Sequence, residues 1–208
     1  LFQADAKVPL KTSIAYGLPG IGAGYMYLLL SLYVMKFSTD VLLISPVVMG
    51  LIFSASRIWD AFSDPVAGYL SDRTTLKFGR RRTWIIISCI PISIAFFAVF
   101  SPPASMQGED LDRWMMFAIL GFYSAMTLFF VPHMALGAEL STNYHERTRL
   151  FGVRHIFYTV GSILALGSMH YLIQEEFRVN GNVRELASNL AVWSVIITSL
   201  LIIYSVSR

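Results

Sequence analysis

The sequence predicts an all-α membrane protein, a bundle of six transmembrane helices. Hydrophobic residues make up 55% of the 208 residues and charged residues only 14%, whereas an ordinary soluble domain has about 25% charged residues. Apolar stretches of about 20 residues, the length that a helix needs to cross a bilayer, recur along the chain. The alternating pattern of membrane β-strands is absent. The composition therefore excludes a soluble domain and a disordered chain.

Six apolar stretches are the predicted transmembrane spans of one domain that covers residues 1–208. The breaks between them include a basic run at 72–83, a segment with two prolines and three acidic residues at 102–112, and a polar segment at 174–185. The single cysteine, Cys89, lies in the third span, so an intrachain disulfide is excluded. The spans are 12–35, 44–71, 84–103, 113–140, 152–173 and 187–207.

Most Lys and Arg residues lie on one side of these spans, at the two chain ends and in the loops 72–83 and 141–151. Cytoplasmic loops carry an excess of these residues, so both ends and both loops are predicted to face the cytoplasm. The topology also explains the basic cluster at 77–82 without a nucleic-acid partner. We expect a multi-pass protein of the plasma membrane, or of the inner membrane in a bacterium, whose surroundings are membrane lipids.

Three charged residues interrupt the second span, in the run RIWDAFSDP. Arg57, Asp60 and Asp64 are three and four residues apart, which puts them on one helix face, with the carboxylates about 6 Å apart along the axis. A charge at the bilayer centre costs roughly 2.5–3.5 kcal/mol, so such residues face a bundle interior or an aqueous cavity. This pattern predicts a functional charge network rather than a plain lipid-facing helix.

One arginine does not neutralise two carboxylates, and the remaining charge indicates ion binding. Two nearby carboxylates repel each other, and the repulsion is relieved when one takes a proton or when both share a cation. Ser63 adds a neutral oxygen of the kind that Na⁺ accepts. The ion is left open between Na⁺ and H⁺. An alternative is that an Arg57–Asp60 pair only locks helices together.

Further polar residues lie where the second and fourth spans end. Asp72 and Arg73 close the run GYLSDR, and Asp72 is placed to pair with a basic residue across the cytoplasmic mouth. Glu139 and Arg147 are predicted either to cap helix ends or to form ion pairs of a cytoplasmic gate, and the sequence leaves both roles open. Arg154 is interpreted as a topology signal, as a partner of Glu139 or Asp72, or as a cavity residue.

Two helix-packing features stand out in the first and fourth spans. Pro132 removes a backbone hydrogen bond in mid-helix, and His133 follows it as a packed residue or a proton relay. Gly20 and Gly24 have the GxxxG spacing of close helix contacts. No HExxH or GxSxG motif occurs, so an enzyme is not expected and no catalytic residue is assigned.

Three motifs, RIWDAFSDPVAGYLSDRT, GRRRTW and VPHMALGAELSTNYHERTRL, occur in the order and spacing of a known family. They resemble the glycoside–pentoside–hexuronide cation symporters of the major facilitator superfamily, which include the melibiose carrier. The resemblance implies the N-terminal half of a major facilitator fold. It implies a cation site at Asp60 and Asp64, with Ser63 and Thr127 as further ligands. It places Arg154 near the solute cavity.

The sequence departs from that family at positions that bind galactosides. The first-helix aspartate corresponds to Gly24, the fourth-helix aspartate to Phe130 and the sugar-stacking tryptophan to Met134. The expected cavity residues are therefore Arg154, Tyr27, Phe130 and Met134, with no galactoside specificity implied. The expected charge network or gate comprises Arg57, Asp72, Arg73, Glu139 and Arg147.

The expected function is cation-coupled symport of a sugar or glycoside-like solute by alternating access. The alternative is an H⁺-coupled carrier of a non-sugar solute, such as a drug or a lipid-like amphiphile. Major facilitators consist of two six-helix halves around a midplane site. We therefore expect this chain to be the N-terminal half, and a C-terminal half of the same protein to supply the other cavity wall. The coupling ion, Na⁺ or H⁺, is the only inorganic group expected, with no cofactor.

Overall fold

The computed structural model describes residues 7–74, 79–177 and 182–207, and within these ranges the chain forms six long helices and no strand. Parts of two predicted loops, at 75–78 and 178–181, lie outside the described residues. The helices are α1 (Leu10–Val41), α2 (Pro46–Arg73), α3 (Arg80–Phe100), α4 (Glu109–Glu139), α5 (Tyr144–Glu176) and α6 (Val183–Ser207).

Five of these helices, all but α2, are long and apolar enough to cross a membrane. The 28 residues of α2 have the length for a crossing, about 42 Å at 1.5 Å per residue. Its charged residues Arg57, Asp60 and Asp64 lower its apolar character. It packs along α4 as part of the same bundle. The fold is therefore an all-helical membrane bundle in which one helix carries a charged face.

Several helices extend beyond the apolar stretches that predicted them. Helix α4 begins at Glu109 instead of 113, and α5 begins at Tyr144 instead of 152. The Asn143 side chain caps α5 by accepting hydrogen bonds from the backbone N–H groups of His145 and Glu146, at 2.8 and 3.4 Å. Hydropathy locates only the apolar middle of a helix, so it does not predict the polar first turns of these two helices.

Helices α1 and α5 approach until their backbones touch. A Cβ atom at Gly24 would overlap the carbonyl oxygen of Tyr158, and one at Gly161 would overlap the carbonyl oxygen of Ile21. At Gly20 it would lie 2.9 Å from the Arg154 carbonyl oxygen. The close packing predicted from the GxxxG spacing is confirmed, and it needs a third glycine on the partner helix.

Helix α1 is irregular, with π-helical turns at Leu29–Tyr33 and Phe37–Val41. It runs through the interior, so Met26, Leu30 and Phe37 are fully buried. By contrast, α2, α5 and α6 expose large apolar side chains outward, among them Phe62, Ile163 and Trp193. Large apolar side chains exposed on the outer faces are what a bundle surrounded by lipid requires.

Candidate functional site

The charged face of α2 meets tyrosines from two other helices. Arg57 Nη2 donates to the Tyr123 hydroxyl of α4 at 2.9 Å, and Nη1 donates to the Tyr27 hydroxyl of α1 at 3.2 Å. The guanidinium also lies over the Tyr123 ring, 4.6 Å from its centroid. The ion pair from Nη1 to Asp60 Oδ2 is longer, at 3.4 Å. Arg57 therefore joins three helices, with its shortest bond to a tyrosine.

Asp60 uses only one of its carboxylate oxygens. Its side chain is 23% exposed, and Oδ2 faces Arg57. Oδ1 is buried, and no hydrogen-bond partner reaches it from the part of the chain that the structure describes. An anionic oxygen that is buried without a donor is costly. This atom is a natural ligand position for a proton or a metal cation.

Asp64 lies one turn further along the same face. The Thr127 hydroxyl of α4 donates to Asp64 Oδ1 at 2.8 Å. Thr127 is almost fully buried, whereas Asp64 is exposed. The structure thus brings together three of the four predicted cation ligands, Asp60, Asp64 and Thr127.

Ser63, the fourth predicted ligand, is directed elsewhere. Its hydroxyl lies 3.5 Å from the Asp60 carbonyl oxygen, a bond within its own helix turn. It lines a groove of about 230 Å³ between α2 and α4, beside Trp59 and Phe62. Trp59 Nε1 donates to the Ser124 hydroxyl at 2.7 Å in the same groove. Thr127 also lines this groove, and its hydroxyl is bonded to Asp64.

The predicted cavity residues fall into two groups: Tyr27, Phe130 and Met134 lie on α1 and α4, and Arg154 lies on α5. Tyr27 lies edge-on to Phe130, with ring centroids 6.4 Å apart, and edge-on to Tyr123 at 6.2 Å. Met134 is one turn beyond Phe130 and is 41% exposed. Arg154 is on α5, its guanidinium 5.9 Å from the Phe151 ring centroid. Among the described residues Arg154 pairs with neither Glu139 nor Asp72, and its Nε has no partner.

His133 is a packed residue at the α1–α4 contact. Its Nε2 and the Tyr16 carbonyl oxygen are 2.9 Å apart, and the Tyr16 hydroxyl donates to the His133 carbonyl oxygen at 3.2 Å. The imidazole stacks between Tyr16 and Phe129, with centroids 4.5 and 4.9 Å away. These reciprocal bonds tie the helix at Pro132 to α1.

A second charge cluster joins α2, α3 and α4 at the predicted cytoplasmic end. Arg81, only 12% exposed, forms an ion pair with Asp72 and places Nε 3.3 Å from Glu139 Oε1. It also donates to the Ser71 hydroxyl at 2.9 Å. Arg80 adds a 2.6 Å bond to Glu139. The predicted residues Asp72 and Glu139 meet through Arg81, a residue that the sequence pattern marks only as part of a basic cytoplasmic loop.

The other predicted network residues make local contacts. The Arg73 guanidinium lies over the Tyr69 ring at 4.3 Å. Arg147 donates from Nε and Nη2 to the Ser141 carbonyl oxygen, at 3.4 and 3.2 Å. Arg147 therefore supports the loop between α4 and α5, whereas Glu139 takes part in ion pairs.

Comparison with known proteins supplies the family. Residues 15–208 match the model of the MFS/sugar transport protein family. The chain is 34% identical over 168 residues to an uncharacterized symporter of Synechocystis, a match that covers 77% of this chain and 30% of that protein. It is 30% identical over 136 residues to the sodium-dependent lysophosphatidylcholine symporter 1-A of Danio rerio, covering 65% of this chain and 25% of that protein.

A third relative is the isoprimeverose transporter of Lactiplantibacillus pentosus, 29% identical over 160 residues, which cover 76% of this chain and 33% of that protein. The chain thus matches a third or less of the length of these relatives. They are named symporters and a transporter, not enzymes. The long apolar helices and the family match together show that the chain is an integral membrane protein and belongs to the MFS/sugar transport protein family.

Proposed function

We propose that the full-length protein is a cation-coupled symporter that carries a sugar or glycoside-like solute by alternating access. The observation that carries the proposal is the α2 face, where Asp60 pairs with Arg57 and Asp64, one turn further, accepts a hydrogen bond from Thr127. The activity is proposed for the full-length protein, because this chain matches a third or less of the length of the three relatives named above.

In this proposal the coupling ion binds between Asp60 and Asp64. The buried Oδ1 of Asp60 lacks a donor among the described residues, and Asp64 is exposed. A bound Na⁺ or H⁺ removes the repulsion between the carboxylates and lowers the cost of closing the cavity over them. The membrane potential contributes about 2.3 kcal/mol per charge per 100 mV to uptake. The ion is Na⁺ or H⁺.

The proposed solute cavity adjoins the cation site through Tyr27. Its aromatic edge contacts Phe130 while its hydroxyl binds Arg57, so one residue touches both regions. Met134 and Arg154 complete the proposed lining. A sugar ring has apolar faces and a polar rim, which suit aromatic side chains next to an arginine. The relative named an isoprimeverose transporter supports a glycoside.

A lipid-like amphiphile is the second candidate solute. Two observations favour it: the name of one relative, the sodium-dependent lysophosphatidylcholine symporter, and the apolar residues Phe130 and Met134 of the proposed cavity lining. Under this alternative the arginines bind a charged head group, and the apolar side chains contact the tail.

The ion pairs of Arg81 are proposed to form a cytoplasmic gate. They join α2, α3 and α4 through Asp72 and Glu139, at the end that the positive charges assign to the cytoplasm. Both chain ends are then cytoplasmic. The gate is stable when closed and breaks when the helix ends separate.

Uptake into proteoliposomes that contain the full-length protein tests the proposal. We expect a Na⁺ or H⁺ gradient to drive accumulation of a labelled glycoside, and Asp64→Asn to abolish it. Asp110→Asn is the matched control, since that carboxylate is 76% exposed and its ion pair among the described residues is with Arg113, at 3.7 Å. Undiminished gradient-driven uptake in Asp64→Asn would refute the cation site. Accumulation of a lysophospholipid but no glycoside would select the second solute.

A further inference from the structure

The tyrosines that bind Arg57 were not assigned to the cation site by any sequence motif. Tyr123 is 3% exposed, and its hydroxyl accepts the 2.9 Å bond from Arg57 Nη2. Its ring is packed edge-on against Phe122 at 6.0 Å and Tyr27 at 6.2 Å. The packing holds the hydroxyl in one place, so the position of Arg57 is determined by α4 and α1.

The Arg57–Asp60 contact is weak for an ion pair between neighbouring turns. An arginine–carboxylate hydrogen bond is ordinarily about 2.7–2.9 Å and is often bidentate. Here a single nitrogen, Nη1, reaches Oδ2 at 3.4 Å and is shared with the Tyr27 hydroxyl at 3.2 Å. The other nitrogen, Nη2, is bound to Tyr123. The guanidinium is therefore held back from Asp60.

This restraint affects the ion that Asp60 can bind. A fully engaged Arg57 would satisfy the carboxylate and compete with any other cation for it. With Arg57 held by tyrosines, Oδ1 of Asp60 has no donor among the residues the structure describes. Arg57 then reduces the negative charge of the site without occupying the Oδ1 position of Asp60.

We propose that Tyr123, assisted by Tyr27, is a positioning residue that keeps Arg57 from closing on Asp60 and so preserves the affinity of the site for the coupling cation. The inference rests on the proposed cation site at Asp60 and Asp64. Loss of the Tyr123 hydroxyl frees Nη2, and Arg57 turns to bind Asp60 with both nitrogens. The coupling cation then competes with the Arg57 guanidinium for the Asp60 carboxylate.

The test is Tyr123→Phe in the full-length protein, which removes the hydroxyl and keeps the ring under the guanidinium. We expect the Na⁺ or H⁺ concentration for half-maximal uptake to rise about tenfold, the effect of one hydrogen bond to a charged group. Uptake at saturating cation stays near the wild-type value. We expect Tyr27→Phe to raise the half-saturating cation concentration as well, but by less, because the bond from Arg57 to Tyr27 is longer than the bond to Tyr123.

A second background separates positioning from a merely structural effect. In Arg57→Gln the residue that Tyr123 positions is gone, so adding Tyr123→Phe leaves the half-saturating cation concentration unchanged. Tyr16→Phe is the matched control. It removes a buried hydroxyl at the same α1–α4 contact, bonded to the His133 carbonyl oxygen and not to Arg57. We expect it to leave cation dependence unaltered.

The outcomes distinguish this inference from the proposed function. If Asp64→Asn keeps cation-dependent uptake, the cation site itself is wrong and the inference falls with it. If Asp64→Asn abolishes uptake while neither Tyr123→Phe nor Tyr27→Phe shifts the half-saturating concentration, only the role of the tyrosines is overturned. An equal shift in the wild-type and Arg57→Gln backgrounds overturns it too.

Discussion

Replacing Thr127 by valine tests the cation site and identifies the ion at the same time. The change keeps the branched shape and removes the hydroxyl that donates to Asp64 Oδ1 at 2.8 Å. A hydrogen bond to a charged group is worth about 1.5–3 kcal/mol. At about 1.4 kcal/mol per factor of ten, that is roughly a 10- to 150-fold change in ion affinity.

The direction of the change depends on the ion. The hydroxyl stabilises the charged form of the site, so an H⁺-driven carrier without it is expected to reach half-maximal uptake at a lower proton concentration. Na⁺ binding needs the charged carboxylate and a neutral oxygen ligand, so a Na⁺-driven carrier needs more Na⁺. Half-maximal uptake, measured against pH and against Na⁺ at fixed pH, separates these cases.

Two variants calibrate the Thr127 measurement. Thr127→Ser retains a hydroxyl and is expected to restore most of the wild-type affinity. Ser124→Ala removes a hydroxyl from the same helix, where it contacts Trp59 at 2.7 Å and not a carboxylate. Equal ion dependence in wild type and Thr127→Val would show that this hydroxyl has no part in ion binding.

Two further predictions concern stability, measured as thermal unfolding of the detergent-purified protein. Gly161→Ala is expected to destabilise by about 1–3 kcal/mol, because its Cβ would overlap the Ile21 carbonyl oxygen; Gly167→Ala, with nothing within 4 Å, is the control, and equal effects would contradict the backbone contact. Arg81→Gln is expected to destabilise by about 1–2 kcal/mol, because the 12% exposed Arg81 bonds Asp72, Glu139 and Ser71. Within the described ranges the half-exposed Arg80 bonds Glu139 and no second group, so Arg80→Gln should cost less than about 1 kcal/mol. A larger loss in Arg80→Gln than in Arg81→Gln would show that Arg80, and not Arg81, is the central arginine of the cluster.

The helical membrane fold can be predicted from the sequence because it depends on local composition. Apolar stretches locate the helix middles, and a spacing of three and four residues puts Arg57, Asp60 and Asp64 on one face whatever surrounds them. The polar first turn of α5 was missed, since its cap by Asn143 leaves no mark on hydropathy.

The partners of the charged face depend on how distant segments pack, and local patterns do not contain that information. Arg57 meets Tyr27 and Tyr123, which are 30 and 66 residues away in sequence. Thr127 was identified by resemblance to a family and not by spacing. Arg81 lies in a basic run that membrane topology already explained, so nothing in the run distinguished it from Arg80. The Ser63 rotamer, which turns its hydroxyl to the Asp60 carbonyl oxygen, also depends on packing.

The backbone contact between α1 and α5 limits how a carrier built on this bundle can move. Gly24 and Gly161 leave no space for even one methyl group between the helices, so the pair has no layer of side chains that could slide or repack. The two helices are therefore expected to move together as one rigid body. Under the proposed alternating access, Tyr27 on the first helix and Arg154 on the second would keep a constant separation, and opening and closing would come from the helices that face them.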